Sequence, residues 1–266
     1  MPDAATVAPG AATPAPPSTD DIMIVNAARA LGGRAAEGRS VCFVGIGLPS
    51  TAANLARRLY DPPPVLVYES GCIGSKPGRL PLSIGDGELA DTADAVVSVP
   101  EIFAYWLQAG RIDIGFLGGA QFDRHGNINS TVIGPYDAPR TRLPGAGGAP
   151  EIAASAGEVM VIMRQTARAF VDSCDFRSSI GFGDGPGDRE RHGLRGAGPR
   201  LVITDLGVLR PDPATCEFVM AALHPGVTRQ QASAATGWPL RFVDDLAVTD
   251  APSAHELAVL RALQAA

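Results

Sequence analysis

Two short apolar runs constrain this chain most: "VCFVGIG" at 41–47 and "VLVYE" at 65–69. Neither alternates apolar with polar residues. A strand with one wet face alternates, so an unbroken run marks a strand buried on both faces. Between them, Pro49 and Ser50 open a helical stretch, "STAANLARRLY", and Asp61 with three prolines breaks it. Strand, helix and strand in that order predict a parallel pair joined by a crossover helix.

The remaining chain extends the pattern. Ser18 and Thr19 precede "DDIMIVNAARAL", a capped helix start with acids in its first turn, and Gly32–Gly33 predicts its end. "DAVVSV" (94–99) predicts a strand and "PEIFAYWLQAG" (100–110) a helix. "IDIGFLGGAQFD" predicts a strand region whose "DRHGN" turn returns as "INSTVIG". "LPGAGGAPEIA" (143–153) reads as a glycine-rich loop feeding a short helix. "EVMVIMRQ", "RAFVDSCDF", "RLVITDLGVLR" and "EFVMAALH" read as later strands. Residues 181–200 read as a polar surface loop, and a last helix starts near Pro252. Helices alternate with strands early and strands cluster late. The expected fold class is therefore α/β: a single open, largely parallel mixed sheet flanked by helices, with an antiparallel addition. The expected organisation is a disordered Ala/Pro-rich tail at 1–18 and one domain at 19–266.

The 266 residues carry a net charge of −6, with no basic run interleaved by aromatics, which argues against nucleic acid or anionic membrane as partner. No apolar stretch reaches the roughly 18 residues of a membrane span. Residues 1–17 lack the basic and apolar regions of a signal peptide, so the expected location is cytoplasmic. Cys42, Cys72, Cys174 and Cys216 show no paired spacing and read as reduced thiols. The four histidines lie far apart, and no metal site is expected.

Several residues carry candidate chemistry. "GIGLPS" (45–50) has Gly45 and Gly47 but lacks the third glycine of a dinucleotide fingerprint. It reads as a tight strand-to-helix turn whose amides can face a ligand phosphate. Glu69 ends a buried strand just before Ser70 and Gly71. A carboxylate there is costly unless it is paired, hydrogen-bonded or used. Pairing to Lys76 or Arg79 is one reading. The other is a general base or covalent nucleophile at the carboxyl end of a parallel strand, where Gly71 lets a substrate approach. "GAGGAP" (145–150) offers either a flexible loop or backbone amides for an oxyanion. Asp86 and Glu88 in "SIGDGE" read as solvated acids in a turn, and Cys72 as apolar filler. No G-x-S-x-G elbow or P-loop occurs.

Five motifs in order, "VCFVGIGLPSTAANLA", "VLVYESGCIG", "PLSIGDGELADTA", "FAYWLQAGRIDIGFLGGAQFDRHGNINSTVIG" and "LPGAGGAPEIA", resemble the β subunit of family I CoA-transferases, in the glutaconate CoA-transferase-like branch. The likeness spans about residues 20–260. It implies that Glu69 is the catalytic nucleophile and that Gly147, Gly148 and Ala149 lie at the thioester. It implies substrate contacts from Gly45, Gly47, Ser70 and Gly71, and an α-subunit partner in an αβ or α2β2 assembly. Coenzyme A is then a substrate, with no resident cofactor or metal. The implied reaction moves CoA from succinyl-CoA to a 3-oxo dicarboxylic acid such as 3-oxoadipate, in aromatic-compound catabolism. Alternatives on the same fold are transfer to glutaconate or another short acid, and acyl-CoA or ring-cleaving C–C hydrolysis. A non-catalytic binding module is the third class. Close relatives often read G-H-G-E-G where this chain has "GFGDG" (181–185), so Phe182 and Asp184 depart from the pattern.

Overall fold

The computed structural model describes residues 16–266. Most of the expected tail, residues 1–15, lies outside the described residues, but Ser18 belongs to the fold. It caps α1 (Thr19–Ala36): its hydroxyl accepts from the Asp21 amide at 3.1 Å, and the Asp21 carboxylate accepts from the Ser18 amide at 2.8 Å. The helix runs past its expected stop at Gly32–Gly33. A side chain at Gly32 would sit 2.4 Å from the Tyr60 ring, so this glycine serves a close approach rather than a terminus.

β1 (Val41–Val44), α2 (Leu48–Leu59) and β2 (Val65–Tyr68) form the expected crossover, with β1 and β2 parallel. The segment that follows is short-stepped: β3 (Cys72–Ile73), α3 (Gly87–Asp91), β4 (Ala95–Val96) and α4 (Val99–Glu101). The strand expected over 94–99 thus shrinks to two residues. The helix expected over 100–110 is α4 continued by a π-helical turn, Ile102–Leu107, with Gln108 and Arg111 donating to the carbonyls five residues back.

β5 (Ile114–Leu117) returns to the sheet centre. β6 (Gln121–Asp123) and β7 (Ile128–Asn129) form the expected hairpin, and β8 (Val132–Ile133) pairs with β9 (Thr141–Arg142). α5 (Ala149–Ser155) leads into β10 (Glu158–Ile162). The strand expected from "RAFVDSCDF" is only β11 (Phe170–Val171), paired with β6 in a separate three-stranded sheet. α6 (Asp188–Arg191), β12 (Pro199–Ile203), β13 (Gly207–Pro211) and β14 (Phe218–Leu223) follow. α7 (Arg229–Ala234) and β15 (Phe242–Val248), neither of them expected from sequence, precede α8 (Ala254–Ala265).

The main sheet has ten strands in the order β15-β14-β13-β12-β10-β5-β1-β2-β3-β4. Its five central strands, β12 to β2, are mutually parallel, as the apolar runs require. Antiparallel strands extend it on both sides, not on one. Helices α1, α2 and α8 cover one face around Met23, Leu31, Leu55, Tyr68 and Leu260. The other face packs Phe43, Val67, Ile152 and Phe218 under α5, the π-helical turn and the small sheets. The chain leaves β1 for β2 on one side and then returns as β5 on the other. That reversal opens a crevice at the strands' carboxyl ends, where α/β sheets bind ligands.

Candidate active site

Glu69 stands at that crevice. Val44 and Tyr68 are register partners, so Gly45 and Glu69 leave adjacent parallel strands side by side. Side chains alternate along β2. Tyr68 points into the α1–α2 face, where its hydroxyl accepts from the Asn54 amide at 3.2 Å. Val67 and Glu69 take the opposite face, beside Phe43 and Phe103.

The Glu69 carboxylate is half-buried and has no hydrogen bond or ion pair among the described residues. The paired reading therefore fails: Lys76 bonds Asp94, and Arg79 grips Asp86 with two hydrogen bonds of 2.8 and 2.9 Å. Asp86 departs from expectation too. It is not a solvated turn acid but the cap of α3, and Arg79 and the amides of Leu82 and Glu88 hold its carboxyl far below the usual range. Burial alone pushes the Glu69 carboxyl upward, with no neighbouring charge to offset it.

The glycine loop comes to this carboxylate. A side-chain carbon built on Gly148 would lie 3.3 Å from Glu69 Cδ and 2.7 Å from Phe103 Cζ. Only glycine fits between them. Gly147 is exposed, has φ of +53° and faces open space. Ala149 donates its amide to the Ala146 carbonyl at 3.0 Å, whereas the amides of Gly147 and Gly148 serve no acceptor among the described residues. Those two N–H groups, next to a carboxylate carbon, are the arrangement an oxyanion requires.

Gly45 and Gly47 also face open space, and Gly47 needs glycine because its φ is +78° at the start of α2. Gly71 has a different reason for being glycine. Its missing side chain would sit 1.9 Å from the Val97 carbonyl oxygen, so it lets β4 pack against the Glu69 turn. Ser70 turns away from Glu69, its hydroxyl 3.5 Å from the Cys72 sulfur.

Two supporting residues are not visible from sequence. Phe103 reads as one core aromatic among several, and nothing in its spacing shows that a π-helical turn aims it at Glu69. Arg189 lies in the stretch expected to be a polar surface loop, yet it is only 5% exposed. It donates to the carbonyls of Gly196 (2.9 Å), Gly181 (2.8 Å) and Ala153 (3.0 Å), which ties off the last turn of α5. Phe182 in the same stretch is buried against Phe218, and Asp184 pairs with Arg177. Among the described residues no cluster of His, Cys, Asp and Glu could hold a metal, and no helix is long and apolar enough to cross a membrane.

The Coenzyme A transferase family model matches residues 25–235. The chain belongs to the coenzyme A transferase family. The transferase is 58% identical over 248 residues to the β subunit of 3-oxoadipate CoA-transferase from Pseudomonas knackmussii, covering 93% of this chain and 94% of that one. Its fold is similar to the crystal structure of glutaconate coenzyme A-transferase from Acidaminococcus fermentans, with a TM-score of 0.83, 33% identity, and coverage of 92% and 93% of the two chains. A cholesterol ring-cleaving hydrolase chain of Rhodococcus jostii is 31% identical over 149 residues, 54% of this chain and 56% of that one. The glutaconate enzyme shares the expected mixed α/β fold. The 3-oxoadipate relative is one chain of a multi-chain enzyme, so this chain is one component of a heteromeric transferase that uses CoA as substrate.

Proposed function

We propose that Glu69 is the covalent nucleophile in CoA transfer from succinyl-CoA to a 3-oxo dicarboxylic acid, with 3-oxoadipate as acceptor. One observation carries the mechanism: a half-buried carboxylate without a partner abuts Gly148 at the carboxyl end of a parallel strand. The 58% identity to a 3-oxoadipate CoA-transferase chain supports the choice of acceptor.

The steps follow from the groups present. The Glu69 carboxylate attacks the thioester carbonyl of succinyl-CoA, forming a mixed anhydride and expelling the CoA thiolate. The thiolate attacks the glutamyl carbonyl, releasing succinate and leaving a glutamyl-CoA thioester. The acceptor carboxylate attacks that thioester, and the released thiolate then attacks the acyl carbonyl, restoring Glu69. Each attack creates an oxyanion, and the amides of Gly147 and Gly148 are placed to receive it. Losing one such donor typically costs about 3 kcal/mol of transition-state stabilisation. Gly45, Gly47, Ser70, Gly71 and Ala149 line the approach to the thioester in this proposal.

Glu69 is open on one side, so an α subunit completes the site in an αβ or α2β2 assembly. The assembly works in the cytoplasm without a resident cofactor. The test is steady-state kinetics of the assembled enzyme with succinyl-CoA and a panel of acids. Parallel-line, ping-pong patterns with preference for 3-oxoadipate are expected. Intersecting lines, which signal direct transfer in a ternary complex, would overturn the covalent reading.

A further inference from the structure

Glutamyl-CoA and its anhydride are activated acyl groups, so their lifetime depends on keeping water away. In hydrolysis, a water oxygen would bond to the Glu69 carbonyl carbon as the C–S bond breaks. The products would be free CoA thiol and the regenerated carboxylate, with one proton released. That wasted cycle consumes the donor without making acyl-CoA. Something beside Glu69 must suppress it.

Three observations meet at one side chain. The Phe103 ring and the Glu69 carboxyl carbon both press on the vacant side-chain position of Gly148, at 2.7 and 3.3 Å. The ring also leans on buried Phe43, with centroids 5.9 Å apart at 60°, so its position is backed by the core. The helix that carries it widens to π geometry at Ile102–Leu107. An extra residue in a helical turn rotates every side chain beyond it, and such turns concentrate at functional sites.

We infer that Phe103 is a positioning residue that keeps the Glu69 niche dry, so that the acyl-enzyme passes CoA to an acid instead of to water. This rests on Glu69 acting as nucleophile. The ring contributes no polar atom, so it favours no intermediate directly; it excludes solvent from the face of the carbonyl opposite the glycine amides. The same dryness explains why burial alone raises the Glu69 carboxyl, with no charged group of the described residues contributing.

The experiment compares the assembled enzyme with its Phe103→Ser, Phe103→Gln and Phe103→Leu variants. Free CoA release from succinyl-CoA without acceptor measures hydrolysis, and acyl-CoA formation measures transfer. Phe103→Ser and Phe103→Gln should each raise the hydrolysis-to-transfer ratio roughly tenfold, and shift the acid limb of kcat/KM about one pH unit lower as Glu69 is hydrated. Phe103→Leu, still apolar, should keep both near the parent values. Either polar variant alone suffices if the other fails to assemble. An unchanged ratio and acid limb in a polar variant would overturn the inference, as would a Leu variant that leaks as much as Ser. Failure of the underlying reading looks different: Glu69→Gln would then retain transfer whatever stands at 103.

Discussion

Glu69 is a residue whose position opposes its own ionisation, and two predictions follow from that. Burial raises its carboxyl above the ordinary range. A group that holds its proton more tightly when folded costs stability once pH exceeds its unfolded value, and the full cost appears above its folded value. Glu69→Gln should therefore raise Tm at neutral pH, with the gain disappearing on acidification below the ordinary glutamate range; thermal melts across pH check this. The same variant should lose roughly four orders of magnitude in transfer rate, measured as acyl-CoA formation. Gly148→Ala places a carbon 2.7 Å from Phe103, so it should lose most activity and about 1–3 kcal/mol of stability in urea titrations. Glu69 was legible in sequence because a polar residue ended a run whose neighbours are all buried. Ser70 and Phe103 were not, because hydroxyl direction and helix pitch leave no trace in residue spacing. Gly71 was legible as a required glycine, but its neighbour Val97 comes from a strand that propensity overestimated.

At the scale of elements, α5 matters more than its seven residues suggest. Its first turn presents Gly148 to Glu69, and its last carbonyls are held by the Arg189 guanidinium. A helix this short gains little from its own hydrogen bonds, so its position comes from such ties. Arg189→Met keeps the bulk but leaves buried carbonyls unserved, each worth about 1–3 kcal/mol. Urea unfolding should show a loss of about 3 kcal/mol, and transfer activity should fall as Gly148 drifts. The stretch 181–200 looked like a surface loop because Gly, Asp and Arg are usually wet. Composition cannot reveal that one arginine is spent on backbone carbonyls. The parallel strands were read correctly because burial on both faces imprints an unmistakable pattern, whereas two-residue strands such as β3, β8 and β9 carry almost none.

Across the whole molecule, the order of strands places the chemistry. The chain reverses between β1 and β5, and the crevice this opens receives Gly45, Glu69 and the glycine loop from segments roughly a hundred residues apart. Sequence order could suggest the parallel core but not that both of its edges are extended antiparallel, since hairpin strands and edge strands share composition. The outer helices are joined by Arg29, which binds Glu256 at 2.7 Å and so links α1 to α8. Burial opposes ionisation of Glu256, but the hydrogen bonds from Arg29 and Ser253 outweigh it and hold the carboxyl down to about 2. A depressed carboxylate stabilises the fold above its unfolded value and loses that contribution as pH falls toward its folded one. Glu256→Gln should therefore lower Tm at neutral pH, and the gap to the parent should close as pH drops from about 4.5 toward about 2. The most direct test of Glu69 as nucleophile reads one bond in the assembled enzyme. Incubating it with succinyl-CoA, reducing with borohydride and mapping the peptide mass should find residue 69 converted to the alcohol, and only when acyl-CoA is present. An unmodified residue 69 in enzyme that has turned over its substrate would contradict the account.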